Sequence, residues 1–200
     1  KNKTEDSVHI TVVGGCFPAS QSMLIVKVLE CMEAVKDGAD EVDIVISVGS
    51  LLDMDYEEVS KEISTISQTI KQLKPSVHLK VIIETGVLDL HQIATASFLA
   101  MEAGADFIKT STGKTSPAAT PEAAVVMCEC IKKFYAQTGK RIGFKPAGGI
   151  VTSDDAALFY GIVDTILGKE WLNREYFRFG ASRMANNLLT EIENTEVKYY

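Results

Sequence analysis

Short apolar runs of strand length alternate along this chain with longer stretches in which apolar residues recur at i, i+3 and i+4. The short runs predict strands at His9–Val13, Glu41–Ile46, Leu79–Glu84, Asp106–Thr110, Ile142–Lys145 and Tyr176–Phe179. The periodic stretches, typified by Ile63, Ile66 and Ile70, predict helices at Gln21–Lys36, Tyr56–Leu73, Leu90–Ala103, Thr120–Tyr135, Ser153–Tyr160 and Ala181–Ile192. Start signals agree: Thr120-Pro121-Glu122 puts proline at a first helical position, and Thr152-Ser153-Asp154-Asp155 offers capping side chains with acids in the first turn. Regular βα alternation implies an α/β fold with a parallel sheet, and the Gly-Ala-Asp that begins at Gly38 and again at Gly104 implies repeated units. Strand starts spaced by about thirty residues suit a (β/α)8 TIM barrel, although such barrels typically run to about 250 residues. Two architectures follow: a single TIM-barrel domain over residues 1–200 lacking the first two βα units, or an open doubly wound sheet.

Composition narrows the possible partners. The 200 residues are 46% hydrophobic and 24% charged, ordinary for a globular protein with a real core. A formal net charge of −7 argues against a nucleic-acid or anionic-membrane partner and confines any anion site to a local pocket. No run approaches a membrane span and the polar opening Lys1-Asn2-Lys3-Thr4-Glu5-Asp6 does not read as a signal peptide, so a cytoplasmic location is expected. Cys16, Cys31, Cys128 and Cys130 match neither a disulfide framework nor a zinc site, and Cys128 and Cys130 point to different faces of one helix. Burial is the reading for those thiols, and packing the reading for Trp171, Tyr176 and Phe177.

The candidate chemistry lies where apolar strands break into glycine-rich loops. Lys109 ends one strand in Gly104-Ala-Asp-Phe-Ile-Lys-Thr-Ser-Thr-Gly-Lys114, and Lys145 ends another in Gly143-Phe-Lys-Pro-Ala-Gly-Gly149. An ammonium in a short apolar strand needs a carboxylate partner or a lowered pKa, and a lowered pKa leaves a neutral amine able to attack carbonyls. One lysine could supply the charge that activates the other, and spacing does not say which is the nucleophile. Asp43, inside an apolar strand, is costly unless paired, so it is expected to face the interior and meet a cation, with Lys145 the leading candidate. That pairing is compatible with a structural ion pair as well as a proton-transfer role. Glu84 closes another strand, and a positioning or structural role is favoured for it. Three loops of small residues, Thr112-Gly113-Lys114, Gly148-Gly149 and Gly180-Ala181-Ser182, could together cradle an anion, and a barrel's phosphate site usually follows its last two strands.

Four segments, Ala39-Asp-Glu-Val-Asp43, Asp106-Phe-Ile-Lys-Thr-Ser-Thr-Gly-Lys114, Gly143-Phe-Lys-Pro-Ala-Gly-Gly149 and Phe179-Gly-Ala-Ser182, closely resemble deoxyribose-phosphate aldolases, class I aldolases on a (β/α)8 barrel. The resemblance runs from about His9 to Ile192. It implies Lys109 as the Schiff-base lysine, Lys145 as the second active-site lysine and Asp43 as the proton-relay aspartate. It also places Gly113, Lys114, Gly148, Gly149, Gly180, Ala181 and Ser182 on phosphate-binding segments. The implied reaction is reversible cleavage of 2-deoxy-D-ribose 5-phosphate to D-glyceraldehyde 3-phosphate and acetaldehyde, in a homodimer with no metal or other cofactor. The scattered His9, His78 and His91 likewise disfavour a zinc-dependent class II aldolase. Departures accompany the matches. The family's first strand with its Asp-x-Thr-like motif has no counterpart here, and Ser20 ends Phe17-Pro-Ala-Ser20 where many relatives carry glycine. Ala118-Ala-Thr-Pro121 also lacks an asparagine that many relatives have, and Tyr200 could serve as the terminal tyrosine that reaches the site in some members. Other readings are another phosphate-handling lysine aldolase or transaldolase-like enzyme, or an inactive fragment with a binding or assembly role.

Overall fold

A computed structural model describes residues 8–198, so Tyr200 lies outside the described residues. Five strands, β1 (Thr11–Val13), β2 (Glu41–Val45), β3 (His78–Ile82), β4 (Phe107–Lys109) and β5 (Gly143–Lys145), pair in parallel and in sequence order. The helices are α1 (Leu24–Lys36), α2 (Val48–Leu52), α3 (Tyr56–Leu73), α4 (Leu90–Glu102), α5 (Pro121–Thr138), α6 (Ser153–Ile166) and α7 (Met184–Glu193). Strictly sequential order removes the doubly wound alternative, whose strand order reverses at a switch point.

Contacts across the sheet show its curvature. Lys145 Nζ on β5 lies 2.7 Å from Asp43 Oδ2 on β2, and Arg178 Nη2 lies 3.2 Å from Glu41 Oε1. Strands about 4.8 Å apart in a flat sheet would leave β2 and β5 about 14 Å from one another. The sheet therefore curls into the wall of a partial TIM barrel with these groups on its concave side. The helices cover the other side: α3 buries Val59, Ile63, Ile66 and Ile70 and opens with Asp55 accepting from Glu58 N–H. Asp89 with Gln92 and Thr152 with Asp155 form capping boxes at α4 and α6, and Thr120 caps α5 ahead of Pro121. Trp171 is buried with its Nε1–H donating to Ile142 O at 2.9 Å, while Cys128 and Cys130 are buried in α5, as expected.

Several expected boundaries move. The strand expected over Tyr176–Phe179 is reduced to bridges from Phe177 to Phe144 and from Gly180 to Ala147. Pro146, which has no N–H to donate, lies between the two bridged residues of the partner segment and interrupts the ladder. Helix α6 runs through Gly161 to Ile166, because burying Val163 outweighs the roughly 1 kcal/mol that an interior glycine costs. Helix α7 begins only at Met184, leaving residues 181–183 outside the helix as a bend that lines a cleft. The five-residue α2 is too short to register as a periodic pattern.

Candidate active site

Parallel register gathers the polar outliers on one face. Lys109 stands opposite Lys145 on the neighbouring strand, and Asp43 stands opposite Lys80. Because strand side chains alternate, Glu41 shares the face of Asp43, as Phe107 does that of Lys109. Phe107 fills the interior beneath the lysines, and Gly143 makes room for it: a Cβ there would lie 2.2 Å from the Phe107 ring.

Asp43 is the hub. Its Oδ2 accepts from Lys109 Nζ at 2.9 Å and from Lys145 Nζ at 2.7 Å, while Oδ1 accepts from Lys80 Nζ at 3.2 Å. Burial alone would push the Asp43 carboxyl up, but the charges of Lys80, Lys145 and Lys109 outweigh it and hold the group below its ordinary value. Lys109, with 8% of its side chain exposed, is shifted the other way. Burial lowers its pKa, Asp43 opposes the shift, and the charge of Lys145 and then of Lys80 reinforces it. The expected pairing of Asp43 with Lys145 is present, and Lys109 shares the same oxygen.

Lys109 and Lys145 open onto a cleft of about 440 Å³ lined also by Thr112, Gly113, Gly148, Gly149, Gly180, Ala181, Ser182 and Arg183. Of the expected phosphate-segment residues, Lys114 alone does not line it, and its side chain is exposed. Gly180 is held close by necessity, because a Cβ there would lie 2.4 Å from Ala147 Cβ and 3.5 Å from Lys145 Cε. Glu84, buried and in the left-handed region at φ 58°, accepts from both the backbone N–H and the hydroxyl of Thr112, whose Oγ1 in turn accepts from Lys114 N–H. It thus ties the β3 loop to the β4 loop, in keeping with a positioning role.

Three residues of this region were not singled out from the sequence. Lys80 is wholly buried and hydrogen-bonds Glu41 as well as Asp43. It sits in the apolar run of residues 79–83, where a charged side chain is as costly as at Lys109. Glu41 lies two residues before Asp43, and alternation alone puts it on the same face. Arg183 carried no such signal, since its place in the cleft depends on where α7 begins.

His9 and His78 are far apart in sequence but adjacent in the fold. His9 Nδ1 lies 3.0 Å and His78 Nδ1 3.7 Å from Glu41 Oε1, and the ligand atoms of the three residues fall within 4.8 Å of one another. The scatter seen in the sequence is thereby corrected. The Glu41 carboxylate is nevertheless engaged by the Lys80 ammonium, by Arg178 at 3.2 Å and by Thr11 Oγ1 at 2.7 Å, and the two cations oppose a metal ion there. Burial would raise the Glu41 pKa, but the nearby His78 imidazole, the charge and hydrogen bond of Lys80 and the contact with His9 hold it far below the usual carboxylate range.

Residues 9–169 match the DeoC/LacD family of aldolases. A human protein named deoxyribose-phosphate aldolase is 40% identical over 187 residues, covering 93% of this chain and 58% of the relative. A Caenorhabditis elegans relative, provisionally named for the same aldolase, is 49% identical over 182 residues, covering 90% of this chain and 59% of its own length. A solved deoxyribose phosphate aldolase from Aeropyrum pernix, described as a tetramer, superposes with a TM-score of 0.73 at 26% identity over 94% of this chain and 70% of its own. The chain thus spans less than two thirds of the curated relatives it matches. With the family profile covering most of the sequence, the chain belongs to the DeoC/LacD aldolase family.

Proposed function

We propose that this chain carries the catalytic lysine site of a class I aldolase that reversibly cleaves 2-deoxy-D-ribose 5-phosphate to D-glyceraldehyde 3-phosphate and acetaldehyde, and that it works as a homodimer. The observation that carries the reading is a buried lysine whose pKa is lowered, beside a cationic lysine and a shared aspartate, at the mouth of a glycine-lined cleft. The names of the relatives supply the substrate.

Lys109 Nζ, in its neutral form, attacks the aldehyde carbon of the open-chain sugar, and loss of water leaves a protonated imine. Asp43, acting with Lys145 or through a water, takes the C3 hydroxyl proton. The C2–C3 bond then breaks, its electron pair passes into the iminium as an enamine, and glyceraldehyde 3-phosphate departs. The proton returns to the enamine carbon, and hydrolysis releases acetaldehyde and free Lys109. The phosphate is held by loop backbone and Arg183. Gly148 N–H is spent on Gly180 O and Gly180 N–H on Pro146 O, so the donors offered to an anion are the N–H groups of Gly113, Gly149, Ala181 and Ser182.

The test is to incubate the chain with deoxyribose 5-phosphate and a mild imine-trapping reductant and to map the adduct by peptide mass spectrometry. A substrate-dependent adduct on Lys109, absent in Lys109→Ala together with turnover, is expected. An adduct on Lys145 reverses the two lysines, and no adduct in a folded sample refutes the reading for this chain.

A further inference from the structure

We propose that Lys80 is a positioning residue for the reacting lysine: by bridging Glu41 and Asp43 from beneath, it holds Asp43 so that one carboxylate oxygen faces Lys109 and Lys145 together and neither lysine captures the whole charge. The inference rests on the lysine chemistry proposed above.

The geometry carries the argument. Lys80 is wholly buried and has three partners: Glu41 Oε2, Asp43 Oδ1 at 3.2 Å and Thr11 Oγ1 at 3.3 Å. Asp43 Oδ2 is left to the two lysines at 2.9 and 2.7 Å. The groups facing this interior are His9 ahead of β1, Glu41 and Asp43 on β2, His78 and Lys80 on β3, Lys109 on β4, Lys145 on β5 and Arg178 beyond it. Glu41 is already held by Arg178 and His9 from the far side. Among these groups, Asp43 is the carboxylate that Lys109 contacts.

Removing Lys80 would act on Lys109 twice in the same direction. A positive charge near Lys109 is lost, and Asp43, freed on one side, pairs more fully with Lys109; both favour the ammonium over the amine. Lys80 therefore keeps Lys109 reactive at a lower pH than it would otherwise reach. A merely structural lysine would support the fold without moving that titration.

The experiment measures the pH midpoint of Lys109 acylation by acetic anhydride, site by site with mass spectrometry, alongside imine trapping with deoxyribose 5-phosphate. In Lys80→Met the Lys109 midpoint should rise by about one pH unit and the acid limb of imine trapping should move up with it, while Lys80→Arg, which keeps the charge, should stay close to the unsubstituted chain. A folded Lys80→Met whose Lys109 midpoint is unchanged, even with a lower melting temperature, overturns the proposal. If Lys80→Met does not fold, Glu41→Gln decides: Asp43 is then the carboxylate left to Lys80, which should lower the Lys109 midpoint, whereas an unchanged or raised midpoint overturns the proposal. Acylation needs no turnover. A shifted midpoint without any imine adduct would therefore support the role of Lys80 while refuting the aldolase reading.

Discussion

Ser20 sits at φ 57°, in the left-handed region that glycine enters freely and an L side chain enters at a cost of roughly 1–2 kcal/mol. Its hydroxyl is buried without a hydrogen-bond partner, adding a desolvation penalty of about 1–3 kcal/mol. The family resemblance sets this position against glycine, which would adopt this φ without strain. Ser20→Gly should therefore stabilise the chain by about 1 kcal/mol after the extra unfolded-state entropy of glycine, measured as a higher urea midpoint at unchanged slope. At the same scale, Lys109, Lys145 and Asp43 were legible because a charge inside an apolar strand is expensive and demands an explanation. Lys80 and Glu41 obeyed the same rule, but their importance depends on which partners they meet.

Among the elements, the strand-to-helix loops matter most. Glu84 fastens the loop after β4 through Thr112, while the loops after β5 and after the last bridged segment are joined by Gly148 N–H to Gly180 O and Gly180 N–H to Pro146 O. These ties leave Arg183 on the cleft wall and the Lys114 side chain in solvent. Arg183→Ala should accordingly raise KM for the phosphorylated sugar by about tenfold, in line with the loss of one charge-assisted contact, with a much smaller change for a non-phosphorylated aldehyde donor. Lys114→Ala should raise KM less, and steady-state kinetics on both donors would show the reverse ranking if Lys114 swings in to hold the phosphate. The sequence pointed to these loops through their glycines and to Lys114, but gave no signal for Arg183 on the cleft wall, because the start of α7 depends on how residues 181–183 pack against the neighbouring loops.

Over the whole molecule, the curl of the sheet concentrates charge in its interior, and this makes the fold acid-sensitive. Asp43 and Glu41 both bind protons more weakly in the fold than in the unfolded chain. Their contribution is fully present above the unfolded carboxylate pKa values of about 4 and is lost as pH falls through the lower folded values. Circular dichroism should show stability against urea falling steeply below about pH 4, and a flat profile down to pH 2 would contradict this account of the interior. Much of the architecture was determined by sequence alone. Helical and strand periods, capping residues and βα alternation are local properties, written within a few residues of where they act, and they suffice for a parallel α/β fold. Sequence likewise determined that two strand-end lysines and a buried aspartate required partners. Only tertiary structure decided between a barrel wall and a doubly wound sheet, because curvature is a relation between strands that do not touch in sequence. It also decided that one aspartate oxygen serves two lysines while Lys80 holds the other, and that His9 and His78 converge on Glu41. Those contacts join residues up to 102 positions apart across a curved interior, and electrostatic energy depends on distance through space rather than on any spacing along the chain.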